Sequence, residues 1–204
     1  MIKKEKALKA LKLLFVGELL VVLGLLGELG ALYGPLAMIS LIAIVGMVIA
    51  LVGIIKLRKV NIFFLISCLA IASALAVGLI SGILAVAGVP ENALSVINDI
   101  ANILGKGFSF VFVFGIIRGC AKAATGSARG KIATIMSLVN FGGKALAILF
   151  TILSGIYEQD AGLARGFVLA STFSTITVDL AFVCFLYIIY RKAKSVVRSE
   201  NASK

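Results

Sequence analysis

The chain has 204 residues, of which 61% are hydrophobic and 14% are charged, and its formal net charge is +11. A soluble domain has about 45–50% apolar and about 25% charged residues, so this composition excludes an ordinary water-soluble protein. The mean hydropathy of +1.16 predicts instead a single all-α domain that lies in a membrane.

Six apolar stretches predict six transmembrane helices. They cover residues 13–33, 36–55, 60–88, 100–117, 132–156 and 166–189. A helix needs roughly 20 apolar residues to cross about 30 Å of hydrocarbon, and these stretches are close to that length. Transmembrane strands would show about 10 residues of alternating polarity, a pattern that these stretches lack.

The basic residues mark one side of the membrane. Of the 20 Lys and Arg residues, all except Lys106, Lys144 and Arg165 lie before the first span or after the second, fourth and sixth. By the positive-inside rule, both termini are therefore cytoplasmic, in a plasma (inner) membrane. Orientation and contact with anionic lipid of the bilayer account for the positive charge, so no nucleic-acid partner is predicted.

Small residues at helical intervals predict where the spans pack closely, because helices in lipid associate through residues that let their backbones approach. The second span contains Ala43, Gly46, Ala50 and Gly53. The third span contains Ala70, Ala74, Gly78 and Gly82. Two interpretations remain open for the third-span series: packing within the monomer, or a face for a homo-oligomer or a transporter partner subunit.

The fourth span is the least hydrophobic, and an amphipathic segment over residues 91–106 leads into it. Leu94, Ile97 and Leu104 lie on an apolar stripe, whereas Asn102 and Lys106 lie on a polar one. This segment is either an amphipathic helix on the outer membrane surface or the start of a continuous helix whose polar stripe lines a water-filled cavity.

Polar residues at mid-membrane depth concentrate in the fourth, fifth and sixth spans. Asn140 and Lys144 share one face of the fifth span, and Thr175 and Asp179 share one face of the sixth. At about 1.5 Å of rise per residue, Lys144, Asp179 and Lys106 lie about 18–20 Å from the cytoplasmic ends of their spans. A charge near the centre of the bilayer costs at least about 2.5–3.5 kcal/mol, so these groups require partners or water.

Lys144 and Asp179 are predicted partners because adjacent helices of one hairpin carry them at similar depth. The pair is either a neutral clamp between two helices or, with the surplus cation of Lys106, part of a net-positive pocket that accepts an anionic group. Glu18 lies about 9 Å into the first span. It is expected to reach a basic residue at the cytoplasmic end of the fourth span or to act as a proton carrier.

A candidate internal repeat relates the second and third hairpins. Residues 110–122 and 182–194 agree at six of thirteen positions. Both segments run in the same membrane direction, so duplication would give a parallel hairpin repeat.

The function predicted from these features is non-catalytic. The chain contains no histidine, which excludes His-based metal sites and His-dependent nucleophile activation. It also contains no GxSxG, HExxH or P-loop motif, so no enzyme activity, cofactor or metal is predicted.

Two functions remain as hypotheses. The first is a small-solute permease, or a membrane-embedded substrate-binding transporter subunit, that binds a small anionic solute through Asn102, Lys106, Asn140, Lys144, Thr175 and Asp179. The alternative is an accessory, assembly or immunity-type membrane protein that docks a partner through Ala70, Ala74, Gly78 and Gly82.

Overall fold

The computed structural model describes residues 2–31, 40–123 and 127–202. Within these ranges the backbone forms six helices and no strand. The helices are α1 (Ile2–Ala31), α2 (Ser40–Leu57), α3 (Ile62–Val86), α4 (Glu91–Ala123), α5 (Ser127–Ile156) and α6 (Ala161–Ala202). The prediction of an all-α chain is confirmed for this part of the sequence.

Among the described residues, four helices are long and apolar enough to cross a membrane, judged by length and composition. They contain the segments Ile62–Leu84, Asn92–Lys122, Gly130–Ile156 and Ala161–Ser199. In α2 the apolar segment Ile42–Leu57 is shorter. The structure therefore supports a membrane protein with several apolar helices, whereas six spans and two cytoplasmic termini stay predictions.

Three helices extend well beyond the predicted spans. The first span was predicted to begin at residue 13, but α1 begins at Ile2. The fourth span was predicted to begin at residue 100, but α4 begins at Glu91 and runs without a break to Ala123. The sixth was predicted to end at residue 189, but α6 continues to Ala202. Lys, Arg, Glu and Ala are good helix formers, so a helix continues in water after its apolar stretch ends.

Side-chain caps place the starts of two helices. Asn61 Oδ1 accepts hydrogen bonds from the backbone N–H groups of Phe63 at 3.1 Å and Phe64 at 3.3 Å, which satisfies free donors in the first turn of α3. Asn61 Nδ2 also donates to the carbonyl oxygen of Gly119 at 3.1 Å, which ties the start of α3 to the end of α4. Asp160 caps the first turn of α6 in the same way.

The helices form a closed ring in which each packs against the next along the chain and α6 packs against α1. Neighbouring helices are antiparallel. The side chain of Ser67 in α3, for example, donates to the carbonyl oxygen of Phe112 in α4 at 2.9 Å, and Ser81 farther along α3 bonds to Asn98 earlier in α4.

The closest helix–helix approach is between α1 and α2. A Cβ atom on Gly46 would lie 2.6 Å from the carbonyl oxygen of Gly17, and one on Gly53 would lie 2.7 Å from the backbone nitrogen of Leu14. Only a residue without a side chain fits such a backbone contact. The small residues predicted in the second span therefore pack against α1, where Gly17 and Gly24 face them.

The third-span series divides into a buried and an exposed part. Ala70 is buried in the apolar core, whereas no described atom lies within 4 Å of a Cβ built on Gly78 or Gly82. The core itself lies toward the predicted cytoplasmic side, where Ile116 and Leu186 are fully buried. The outer half of α3 does not use its glycines for packing against the described residues.

Candidate functional site

Buried polar side chains concentrate where α1, α5 and α6 meet. Among the described residues, the buried polar or charged ones are Glu18, Ser67, Asn140, Lys144, Ser171 and Asp179. We call Glu18, Asn140, Lys144 and Asp179 the buried charged cluster. It lies inside the helix ring, so water reaches these side chains poorly and their interactions with one another are strong.

Lys144 and Asp179 form a direct ion pair. Lys144 Nζ donates to Asp179 Oδ1 at 2.8 Å, and the side chains are 2% and 12% exposed. Gly143, one residue earlier, allows the close approach, because a Cβ there would overlap Val178 of α6. Ser174 Oγ also donates to the Gly143 carbonyl oxygen at 2.8 Å. The pairing predicted from equal depth is present.

Glu18 adds a second carboxylate that the sequence analysis placed elsewhere. It is 7% exposed and lies close enough to Asp179 and Lys144 to interact electrostatically with both. Lys144 nevertheless makes its 2.8 Å contact with Asp179. Glu18 was expected to reach basic residues of the fourth span, but α1 packs against α2 and α6, which brings Glu18 to the Lys144–Asp179 pair instead.

Asn140 contributes an unused acceptor. Its side chain is fully buried, and its Nδ2 donates to the carbonyl oxygen of Phe110 at 3.2 Å. Its Oδ1 is the one buried side-chain oxygen or nitrogen atom without a hydrogen-bond partner in the described part of the chain. Such an atom costs about 1–3 kcal/mol. It is therefore a place where a ligand, water or mobile donor gains a hydrogen bond.

Lys106 begins a chain of hydrogen bonds that joins α4, α5 and α6. Lys106 Nζ donates to Thr151 Oγ1 at 2.7 Å, and Thr151 Oγ1 lies 3.0 Å from Ser171 Oγ. Ser171 in turn donates to the carbonyl oxygen of Ala147 at 2.9 Å. Lys106 also lies within electrostatic range of Lys144. We call Lys106, Thr151 and Ser171 the hydroxyl chain.

Three of the six predicted binding residues, Asn140, Lys144 and Asp179, are buried on facing helices α5 and α6. Lys106 bonds to Thr151 farther along α5 and lies within electrostatic range of Lys144. Thr175 is half-buried on α6 and donates to the carbonyl oxygen of Ser171 in its own helix at 3.0 Å.

Asn102 is exposed on α4. One turn earlier, Asn98 accepts a hydrogen bond from Ser81 of α3. The structure therefore places residues 91–106 in one continuous helix with α4, rather than in a separate segment. Both predicted surroundings of its polar stripe, the outer membrane surface and a water-filled cavity, are compatible with this helix.

The net-positive charge of the pocket stays a prediction, although Glu18 adds a second carboxyl group near Lys144 and Asp179. Lys106 and Lys144 supply two amino groups to this region, and Glu18 and Asp179 supply two carboxyl groups. The position of Glu18 beside this pair was not predicted, because contact between α1 and α6 joins opposite ends of the chain and leaves no local signal.

Comparisons with known proteins do not identify the chain. No protein-family model, curated protein or solved structure matches it. In the described ranges, His, Cys, Asp and Glu also form no group of three or more that could hold a metal ion. The functional interpretation therefore depends on the chemistry of the buried charged cluster.

Proposed function

We propose that this protein is a small-solute permease, or the membrane-embedded substrate-binding subunit of a transporter, and that the buried charged cluster binds the solute. The observation that carries the proposal is the unpartnered Asn140 Oδ1 beside a buried ion pair. Each charge placed near the bilayer centre costs at least about 2.5–3.5 kcal/mol on insertion scales. Such groups usually mark a substrate or ion pathway.

A clamp alone requires fewer polar groups than the cluster contains. The ion pair of Lys144 and Asp179 would be sufficient to join α5 to α6, and well-packed apolar residues often replace such a pair without loss of stability. Glu18 and the free acceptor of Asn140 add cost to a clamp and contribute nothing to it. Both become useful when a solute supplies hydrogen-bond donors.

The arrangement of charge favours a solute with two kinds of group. Lys106, held by Thr151, is a cation for an anionic group such as a carboxylate. Glu18 and Asn140 offer acceptor oxygens for N–H or O–H donors. The proposed solute is therefore a small molecule that carries an anionic group and at least one donor, and it binds across the hydroxyl chain and the buried charged cluster.

A thermal-shift screen of the detergent-purified protein tests the proposal. The panel contains small metabolites with an anionic group, with and without an amino or hydroxyl donor, and neutral analogues. A solute at 100 times its Kd stabilises the folded protein by about 2.7 kcal/mol. We expect Asn140→Ala and Lys144→Met to abolish this stabilisation. Ser67→Ala removes a buried hydrogen bond elsewhere and should retain it.

A charge-exchange variant separates a binding pair from a clamp. Lys144→Asp combined with Asp179→Lys preserves an ion pair but reverses the positions of its charges. If this variant keeps its stability but loses the solute response, the pair belongs to the binding site. If it keeps both, the pair is only a clamp. A panel without any stabilising solute would contradict the permease proposal.

One observation favours the alternative, an accessory protein that docks a partner helix. No atom of the described residues lies near Gly78 or Gly82, and Leu79 and Ile83 beside them are 68% and 65% exposed. Small residues with open space allow a second helix to approach closely. Leu at both glycines should then abolish partner or self-association while the solute response of a permease stays unchanged.

A further inference from the structure

The last turns of α6 border an open cavity with cationic side chains, apart from the buried charged cluster. Its volume is about 440 Å³, within the range of about 300–1,000 Å³ that is usual for ligand sites. The described residues that line it are Tyr187, Tyr190, Arg191, Lys194, Ser195 and Arg198. These residues recur at intervals of three or four, so they lie on one face of the helix.

The chemistry of this face suits a phosphate group. Its ionisable lining side chains include three cations, Arg191, Lys194 and Arg198, and no carboxylate among the described lining residues. All three are exposed and none of them makes a described ion pair with a carboxylate. The Arg191 guanidinium lies 5.8 Å from the centre of the Tyr187 ring, a contact that orients it at the cavity.

The cavity lies at the boundary between membrane and water. With 42 residues, α6 is about 63 Å long, whereas the hydrocarbon core is about 30 Å thick. The apolar part of α6 ends near Tyr187 and Tyr190, residues that favour the headgroup level. Phe15 of α1 stacks on Tyr190 at a centroid distance of 6.5 Å, which packs this lining residue against the helix ring.

We propose that this cavity binds the phosphate headgroup of an anionic phospholipid. The cationic face begins at the tyrosines and continues away from the hydrocarbon, so a lipid in the same leaflet reaches Arg191 and Lys194 without leaving the bilayer. Arg198 meets the outer part of the headgroup. A soluble phosphate compound has the same chemistry but gains nothing from this position. The site is separate from the proposed solute site and does not depend on it.

Native mass spectrometry of the full-length protein in a neutral detergent tests the proposal, with phosphatidylglycerol and phosphatidylcholine as probes. We expect phosphatidylglycerol to bind at least about tenfold more tightly. Each basic residue near an anionic headgroup contributes about a fivefold effect. The triple variant Arg191→Gln, Lys194→Gln and Arg198→Gln should therefore lose most of this preference, and Arg198→Gln alone should weaken binding about fivefold.

A matched control removes the same charge from the same predicted side of the membrane. Lys56, Arg58 and Lys59 are exposed at the connection between α2 and α3, and their replacement with Gln should change phosphatidylglycerol binding less than about twofold. Equal weakening by both triple variants would overturn the proposal, because binding would then follow total charge. Equal binding of phosphatidylcholine, or full displacement of the lipid by millimolar inorganic phosphate, would overturn it as well.

Discussion

Replacing Lys144 with Met tests the electrostatic account of the buried charged cluster most directly. The substitution keeps most of the side-chain volume but leaves Asp179, whose side chain is 12% exposed, without its cation. Glu18, also buried, then loses the lysine with which it interacts. Breaking a buried ion pair by removing one partner costs about 3–5 kcal/mol, and we expect Lys144→Met to destabilise the protein by this amount.

The loss should be recoverable in two steps. Adding Asp179→Asn removes one uncompensated charge and should restore most of the stability, because replacing both partners of a buried pair is often close to neutral. Adding Glu18→Gln to the double variant should restore more. Reversible unfolding in mixed micelles measures each free energy. The exposed Lys192→Met on α6 is the control, with an expected change within about 0.5 kcal/mol.

Two results would refute this reasoning. If Lys144→Met unfolds within about 0.5 kcal/mol of the unmodified protein, Asp179 and Glu18 are not held in a poorly hydrated environment. If the variant with both Lys144→Met and Asp179→Asn is as unstable as Lys144→Met alone, the loss arises from packing of the lysine chain rather than from charge. Either result would remove the main support for a functional cluster.

Three further predictions concern packing and topology. Gly17→Ala should destabilise the protein by about 1–3 kcal/mol, because the added methyl group overpacks against α2. Gly105→Ala, with no described atom near the added methyl group, should stabilise it by about 0.4–1 kcal/mol. Thermal unfolding compares the two variants, and equal effects would contradict the close contact between α1 and α2. Ser67→Ala should cost about 1 kcal/mol, because one buried hydrogen bond to α4 is lost, and the same assay measures it. In a background without native cysteines, a membrane-impermeant thiol reagent applied to intact cells should label a cysteine at Glu158 but not one at Ser199; the opposite pattern would reverse the predicted orientation.

Local patterns in the sequence were sufficient to predict the ion pair. Lys144 and Asp179 lie on neighbouring helices joined by a short turn, and rise per residue places them at one depth, so their contact follows from helix geometry. The position of Glu18 did not follow in this way. Its neighbours depend on which helix closes the ring, and contact between the first and last helices is not encoded in any local spacing.

The helix packing was predicted in part, for a related reason. The intervals of four in the third span indicated a packing face, but Gly78 and Gly82 remain open. The close contact uses Gly17 and Gly24 of α1, which are seven residues apart and therefore fall outside a four-residue pattern. Small residues identify the faces on which helices are able to approach closely, whereas the neighbouring helix that packs there depends on the whole fold.

The lengths of α4 and α6 show a similar limit. Hydropathy marks where a chain leaves hydrocarbon, and the predicted spans ended where charged residues began. A helix ends for other reasons, such as a cap or a proline, and residues 190–202 contain no proline. The extension of α6 therefore appeared only in the structure, and with it the cationic face at the membrane boundary.

The contact between α6 and α1 also imposes an order on assembly. Helices enter the membrane from the N-terminus as the chain is synthesised, so Glu18 arrives with α1 and Lys144 arrives four helices later. Asp179 comes last, on the helix that closes the ring. Until α6 arrives, Lys144 lacks the contact with Asp179, and a chain truncated before α6 would never form it. In the predicted topology, the arrival of α6 is therefore the step that gives Lys144 its counter-ion.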